Sequence, residues 1–124
     1  MSKCLFCNIH SSRIVLENDF AYAIADGFPV TERHHLIIPK RHVNDYFSLD
    51  TAELEACHAL LLQLRHRLCE HDIRIQGFNI GMNCGEIAGQ TIFHCHIHLI
   101  PRRNGDVENP RGGVRHIIPD KGVY

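Results

Sequence analysis

The chain lacks tryptophan and shows no marked excess of charge of either sign: 13 lysines and arginines face 14 aspartates and glutamates, for a formal net charge of −1 at pH 7. This near-neutral balance argues against a general nucleic-acid-binding protein, because such binding depends on an excess of lysine and arginine. We therefore expect no nucleic-acid partner, although a small local basic site is compatible with the composition.

Long apolar runs are also missing. No window holds the roughly 18 consecutive apolar residues that a membrane span requires, and residues 1–4 lack the apolar core of a signal peptide. We therefore expect a cytoplasmic protein with no membrane partner. In that reducing compartment, six cysteines are expected to be thiols or metal ligands rather than a disulfide framework.

The residues that are present favour an ordinary folded domain with one unusual feature. The 124 residues are 44% hydrophobic, which suits a single domain over residues 1–124 that buries roughly two thirds of its unfolded surface. The unusual feature is the number of histidines, eleven in all, which requires a chemical explanation.

Sequence patterns predict a mixed fold. Alternating or compact apolar segments predict strands at 13–18, 20–26, 34–39, 78–82 and 91–100. Between the third and fourth strands, residues 50–70 predict one long helix, in which Asp50 and Glu53 have the spacing of a capping box. An apolar stripe marks its inner side: Leu54, Cys57, Leu61, Leu64 and Leu68. Together, these strands and this helix predict an α+β fold, an antiparallel sheet with one main helix. An irregular tail is expected to follow from about residue 102.

The most informative segment is the run from His94 to Ile100. Side chains alternate between the two faces of a strand, so His94, His96 and His98 are predicted to share one face. Three imidazoles on one face suit either a metal site or nucleophilic and acid–base chemistry near neutral pH. A solvated histidine strand is the alternative without function.

These motifs resemble those of the histidine triad (HIT) family. The resemblance lies in His-x-His-x-His followed by two apolar residues, in the approach at 88–93, in the segment 34–42 and in the N-terminal segment 4–9. It covers residues 4 to about 106, and the continuation at 101–106 is closer to the fragile-histidine-triad and bacterial branch. It implies a five-stranded antiparallel sheet with one long helix and a short helix.

The resemblance implies a nucleotide hydrolase or nucleotidyl transferase that cleaves at the α-phosphate. His96 would attack the phosphorus and form a nucleotidyl-phosphohistidine, which water then hydrolyses. His98 would contact the phosphate oxygens, His34 would orient the cluster, and the Thr91 hydroxyl would donate to the leaving oxygen. The expected substrates are dinucleoside polyphosphates, nucleoside phosphoramidates and related adenylylated compounds. The alternatives are a nucleotide-binding regulatory module without turnover and a catalytic metal held by the three histidines.

Further residues match the family's substrate site. Asn83 and Gln90 would donate hydrogen bonds to phosphate, and Gly85 and Gly89 would let the loop backbone approach it. Asp26 would accept hydrogen bonds from the ribose hydroxyls, unless it is a simple turn residue. An apolar slot for a purine base would be formed by residues that also suit an ordinary core: Phe6, Ile9 and Ile24.

Cys4 and Cys7 form a C-x-x-C pair, which by itself indicates either redox or metal-binding duty. The resemblance maps two further ligands onto His42 and His94, and a Cys₂His₂ set suits tetrahedral zinc. We therefore expect a closed structural zinc site and no organic cofactor.

Family members usually pair through the long helix and an edge strand, so a homodimer is expected. Arg102, Arg103, Arg111 and Arg115 in the tail either shape the leaving-group side or are solvated.

Overall fold

The structure is a computed structural model that describes residues 3–124. Met1 and Ser2, part of the segment considered for a signal peptide, lie outside the described residues. Across 3–124, no helix has both the length and the apolar character needed to cross a bilayer.

Five strands form one antiparallel sheet, as predicted. In chain order they are β1 (Ile14–Glu17), β2 (Ala21–Ala25), β3 (His35–Pro39), β4 (Ile75–Gly81) and β5 (Ile97–Arg103). Their order in the sheet is β1-β2-β3-β5-β4, which places β5 next to β3 and leaves β4 at an edge. The β1–β2 turn is closed by Asn18, whose side-chain oxygen accepts from the amides of Phe20 and Ala21.

The long helix α1 spans Thr51–His71. Its capping box is present: the Asp50 carboxylate accepts from the Glu53 amide at 2.9 Å, and the Glu53 carboxylate accepts from the Asp50 amide at 3.0 Å. The remaining helical segments in residues 3–124 are short 3₁₀ turns, at Ser11–Arg13, Tyr46–Ser48, Glu86–Ala88 and Gly113–Ile117. They take the place of the predicted short helix.

The buried stripe of α1 differs from the predicted one in its first turns. The buried residues are Glu53, Cys57, Leu60, Leu64 and Leu68, and Leu54 and Leu61 are only partly buried. Glu53 can be buried because the Arg41 guanidinium donates to both of its carboxylate oxygens, at 2.9 and 2.7 Å. This hydrogen bonding holds the pKa of Glu53 below its usual range. A sequence pattern that scores acidic residues as exposed cannot anticipate such a pair.

The two faces of the sheet have different partners. One face packs against α1 through Ala21, Ala23, Ile37, Ile97 and Leu99. The other face carries a second cluster, Phe6, Tyr22, Ile24, Leu36 and Ile38, over which the N-terminal segment folds. The candidate catalytic histidines lie on this second face, beside Phe6.

The ends of β5 and the start of β4 differ from their predicted positions. β5 begins at Ile97 rather than residue 91, because its ladder with β3 ends at the Ile37–Ile97 pair, and Pro39, which would stand opposite Cys95, has no N–H to donate. Cys95 instead donates its amide to the Val43 carbonyl at 2.8 Å. At its other end, β5 runs to Arg103, so the irregular tail begins at residue 104. Strand β4 begins earlier than predicted, at Ile75.

A buried acid ties the end of α1 to the end of β5. Asp72 follows the helix and accepts hydrogen bonds from Arg74, at 2.9 Å, and from Arg103, at 3.1 and 2.9 Å. Hydrogen bonds from these arginines, Arg74 first, hold the pKa of the Asp72 carboxyl well below its usual range.

We expect Asp72→Asn to destabilise the protein at neutral pH and to flatten its acid unfolding. A depressed pKa stabilises the fold fully above the unfolded value, about 3.9, and that stabilisation is lost as the pH falls through the folded pKa. Urea unfolding from pH 7 to pH 2.5 tests this, with Asp19→Asn, a change in an exposed turn, as the control. A variant curve parallel to that of the wild type at all pH values would contradict the assignment.

Candidate active site

His96 and His98 lie side by side, with ring centroids 5.3 Å apart. The Nδ1 atom of His96 lies 2.9 Å from the carbonyl oxygen of His94. A carbonyl can only accept, so Nδ1 carries the hydrogen and Nε2 keeps a free lone pair. Phe6 packs edge-on against the His96 ring, with centroids 5.0 Å apart. The local backbone thus fixes the tautomer that makes His96 a nucleophile at Nε2.

His98 is in the opposite tautomer to His96, with its hydrogen on Nε2, and a chain of hydrogen bonds sets this tautomer. The Val30 amide donates to Nδ1 of His34 at 3.1 Å, so His34 carries its hydrogen on Nε2. That Nε2–H donates to Nδ1 of His98 at 2.9 Å, which leaves His98 with its hydrogen on Nε2. Burial lowers the pKa of both rings below that of free imidazole, so both are neutral at pH 7. The site therefore pairs a nucleophilic nitrogen with a neutral N–H donor.

Asp26 completes this group, because its carboxylate lies 3.3 Å from Nε2 of His34. Asp26, His34 and His98 could by distance hold a metal ion. The tautomers argue against that role, since the Val30 amide occupies Nδ1 of His34 and Nε2 then carries a hydrogen rather than a lone pair. The other oxygen of Asp26 accepts from the Phe28 amide at 2.8 Å. This group is better described as a hydrogen-bond chain.

His94 belongs to a different cluster. Its Nε2 lies 2.8 Å from the Pro39 carbonyl oxygen, so the hydrogen is on Nε2, and the Nδ1 lone pair faces the N-terminal segment. There it meets Sγ of Cys4 at 3.4 Å, Sγ of Cys7 at 3.5 Å and Nδ1 of His42 at 3.2 Å. The four donor atoms all lie within 4.8 Å of one another and could hold a metal ion. The alternative in which His94, His96 and His98 share a catalytic metal does not fit this geometry, because the His94 ring turns away to the cysteines.

The loop before the triad is held by Gln90. This buried side chain donates to the carbonyls of Asn44 and Ile92, at 2.6 and 3.1 Å, and accepts from the Gly85 amide at 2.8 Å. Both amide hydrogens of Gln90 and the Gly85 N–H are thus already used. The structure gives Gln90 the task of holding the loop, in place of the predicted hydrogen bond to phosphate.

Other loop residues remain accessible. Gly89 adopts φ +97, a conformation that L side chains rarely adopt, and the Asn83 side chain lies beside it. Asn83 and Thr91 are exposed on either side of the loop. Their placement leaves room for the predicted contacts with a phosphate and a leaving group.

The predicted base slot lies in the second core cluster. Phe6 and Ile24 are buried there, and Ile9 is partly buried against them. Phe6 is held from below by Tyr22, whose hydroxyl donates to the Phe6 carbonyl. Only Ile9 of these three is accessible to a base in this conformation, and the buried Phe6 and Ile24 support the slot from beneath.

The sequence favours a backbone group near the triad as the one that fixes the tautomer of His96, but it does not show which backbone atoms act on each histidine. The Val30 amide and the carbonyls of Pro39 and His94 set the tautomers of the histidines. Any residue type except proline supplies such an amide, and every residue supplies a carbonyl, so the sequence carries no signal for them.

Comparison with known proteins now identifies the family. Residues 9–105 match the HIT domain. An uncharacterised HIT-like protein of Mycoplasma genitalium is 40% identical over 105 residues, which cover 82% of this chain and 74% of that protein. The chain belongs to the HIT family. Two HIT relatives with named activities are each 33% identical. The adenosine 5′-monophosphoramidase of Saccharomyces cerevisiae matches 82% of this chain and 63% of its own length. The AP-4-A phosphorylase of Mycobacterium tuberculosis matches 75% of this chain and 48% of its own length.

Solved structures agree with this HIT assignment. A HIT family protein from Bacillus anthracis has a TM-score of 0.76 and 34% identity, covering 84% of this chain and 76% of that one. A Zn-bound histidine triad family protein from Mycobacterium smegmatis has a TM-score of 0.76 and 33% identity, covering 86% and 80%. The predicted five-stranded HIT fold is therefore confirmed.

Proposed function

We propose that this HIT protein hydrolyses nucleotides at the α-phosphate through a nucleotidyl-phosphohistidine on His96. One observation carries the proposal: the His94 carbonyl binds Nδ1 of His96 and so leaves Nε2 as a free nucleophile beside the N–H of His98. The named activities of the yeast and mycobacterial relatives support the same chemical class. Nucleoside phosphoramidates and dinucleoside polyphosphates are the proposed substrate classes.

The reaction would proceed in two displacements at phosphorus. Nε2 of His96 forms a bond to the α-phosphorus, and the bond to the leaving nitrogen or oxygen breaks with its electron pair on the leaving atom, which takes up a proton. Water then adds its oxygen to the phosphorus, the His96–phosphorus bond breaks, and the water proton balances the one consumed in the first step. Covalent catalysis divides one difficult step into two easier ones.

The neighbouring residues would bind and orient the nucleotide. The Nε2–H of His98 would donate to a phosphate oxygen, and His34 would hold that donor in place through its own hydrogen bond at 2.9 Å. We assign Asp26 to the ribose hydroxyls, Asn83 to phosphate and Thr91 to the leaving atom. Ile9 would contact a purine base, with Phe6 and Ile24 beneath it.

We further propose that Cys4, Cys7, His42 and His94 hold a structural zinc ion. With Zn–N near 2.0 Å and Zn–S near 2.3 Å, the edges of a tetrahedral site are roughly 3.3 to 3.8 Å long. Four of the six distances between the donor atoms run from 3.2 to 3.5 Å, close to that range, and all six are within 4.8 Å. The ion would tie the N-terminal segment to the sheet, and no reaction step passes through it.

We also propose that the protein forms a homodimer. β4 is an edge strand and exposes Ile80, and α1 exposes Leu62 on the side away from the sheet. An open edge with apolar side chains favours pairing with a second copy.

Trapping the intermediate tests the proposed function. A radiolabelled adenosine phosphoramidate, quenched within the first turnover, is expected to leave an acid-labile, base-stable label on the peptide that contains His96. A nucleotide-binding module without turnover would bind the label reversibly and leave none after denaturation. A label on any other residue would contradict the assignment of the nucleophile.

A further inference from the structure

The loop between β2 and β3 carries the hydrogen bond that selects one tautomer of the His34–His98 pair. Nε2 of His34 and Nδ1 of His98 lie 2.9 Å apart, and a hydrogen bond between two imidazole nitrogens can run in either direction. The Val30 amide decides the direction, because it donates to Nδ1 of His34 at 3.1 Å and leaves the hydrogen of that ring on Nε2. In the reversed direction, His98 would present a lone pair instead of an N–H to a phosphate oxygen.

Asp26 favours the same tautomer in the free protein, since one of its carboxylate oxygens lies 3.3 Å from Nε2 of His34. In the proposed nucleotide complex, this carboxylate also accepts hydrogen bonds from the ribose hydroxyls and is shared with them. The Val30 amide is then the main group that keeps the hydrogen of His34 on Nε2. The contacts that hold this amide in place therefore bear on the reaction.

The chain turns away from β5 just before β3 begins. The β3–β5 ladder ends at the His35–Leu99 pair. Arg33 would stand opposite Pro101 if the ladder continued, but its φ of 70 is a left-handed conformation that breaks the strand. The Pro101 carbonyl is therefore left to the loop, and the Thr31 hydroxyl donates to it at 2.8 Å, across 70 residues of sequence.

The Thr31 contact reaches the Val30 amide over a short path. Thr31 follows Val30 directly, and its carbonyl accepts from the His34 amide at 3.2 Å. The His34 carbonyl in turn accepts from the Asp26 amide at 2.9 Å, which closes the base of the loop. The half-buried Thr31 side chain thus ties this closed loop to β5, the strand that carries His98.

A second tie between the loop and β5 runs through the next residue. Arg103, at the end of β5, donates to the Glu32 carbonyl at 2.9 Å, and Arg74 lies 3.1 Å from the Glu32 carboxylate. These contacts do not involve the Thr31 hydroxyl, so they should keep the loop folded when that hydroxyl is removed. A variant at Thr31 then changes the position of the loop rather than its presence.

We propose that Thr31 is a positioning residue for the reaction on His96. By holding the loop against β5, its hydroxyl keeps the Val30 amide on Nδ1 of His34 and so keeps the hydrogen of His98 on Nε2, where it can donate to phosphate. The inference rests on the proposed function and adds to it a residue that touches neither the nucleotide nor the reacting atoms.

Thr31→Val removes the hydroxyl and keeps the shape of the side chain. The Val30 amide then loses its fixed position, so a fraction of the molecules adopts the reversed tautomer. We expect kcat for an adenosine phosphoramidate to fall about three- to tenfold, the effect of one ordinary hydrogen bond. KM should change less, because the ribose and base contacts remain. Thr31→Ser restores the hydroxyl and is expected to restore kcat.

The nitrogen NMR shifts of the His98 ring report its tautomer, since a ring nitrogen with a hydrogen and one without differ widely in shift. With and without AMP, the wild type and Thr31→Ser are expected to show the hydrogen on Nε2. Thr31→Val should show shifts averaged between the two tautomers, most clearly with AMP bound. The matched control is Thr51→Val, at an exposed residue at the start of α1, which should keep the wild-type shifts and turnover.

Thr31→Ala is measured in parallel, because it removes the same hydroxyl without placing a methyl group against the Pro101 carbonyl. It is expected to show the same averaged shifts as Thr31→Val, and a thermal unfolding curve establishes that each variant is folded. A loss of kcat with wild-type ring shifts in the folded variants would make Thr31 a structural residue only and refute the proposal.

The remaining outcomes separate this proposal from the proposed function. Averaged shifts without a loss of kcat would refute the role of Thr31 in the reaction, while the proposed function stands. If the wild type cleaves no phosphoramidate, the proposed function fails, and the ring shifts alone then decide whether Thr31 sets the tautomer.

Discussion

His96→Ala is expected to lower kcat by about 10⁴- to 10⁶-fold, the loss found when a covalent nucleophile is removed from an enzyme that keeps its binding site. The partly exposed ring lies at the surface of the second core cluster, so its removal should leave the fold intact. Steady-state turnover of an adenosine phosphoramidate measures the effect. Nucleotide binding should persist, because His98 and the loop backbone remain.

The control is His66→Ala. His66 lies on the outer side of α1 and is paired with Glu70 at the surface, so the same chemical deletion there should change neither kcat nor KM. Turnover by His96→Ala at the wild-type rate would reject a phosphohistidine at this residue and would require a different catalytic group.

Removal of the proposed zinc ion is expected to lower the melting temperature by about 10 °C or more. A structural zinc site stabilises a small fold by several kcal/mol, and each kcal/mol corresponds to roughly 3 to 5 °C in a domain of this size. Metal analysis and thermal unfolding, with and without a chelator, measure the change. Activity assayed well below the melting point should survive chelation, which distinguishes a structural ion from a catalytic one.

Two cysteine variants sharpen this test. Cys7→Ser removes one of the four donors, so its melting temperature should resemble that of the chelated wild type and should not fall further with chelator. Cys69→Ser lies on α1, away from the cluster, and should keep the full response to chelator. If the purified wild type carries no metal and chelator leaves its unfolding unchanged, the four residues are not a zinc site.

The sequence was sufficient for the fold, because its elements depend on patterns of side chains, and the family resemblance was sufficient to group the four candidate metal ligands. Alternation predicted the hairpin of β1 and β2, and the Asp50–Glu53 spacing predicted the start of α1. The C-x-x-C pair and two histidines far apart in the chain were predicted to meet, and the structure brings their donor atoms together.

Other features depend on partners that the sequence pattern does not reveal. The inner side of α1 includes Glu53 because Arg41 neutralises it, and β5 starts late because Pro39 ends the ladder. Gln90 matched a motif of phosphate-binding residues, yet its amide donates to the backbone carbonyls of the distant Asn44 and of the nearby Ile92. In each case a local pattern was overridden by one specific long-range hydrogen bond or by its absence.

His94 serves two neighbours with different parts of the same residue: its ring faces Cys4, Cys7 and His42, and its carbonyl accepts a hydrogen bond from the Nδ1–H of His96. Any residue other than histidine at this position would keep the carbonyl and lose the ring. Substitution of this side chain is therefore a way to loosen the N-terminal segment while the backbone acceptor for His96 stays in the chain.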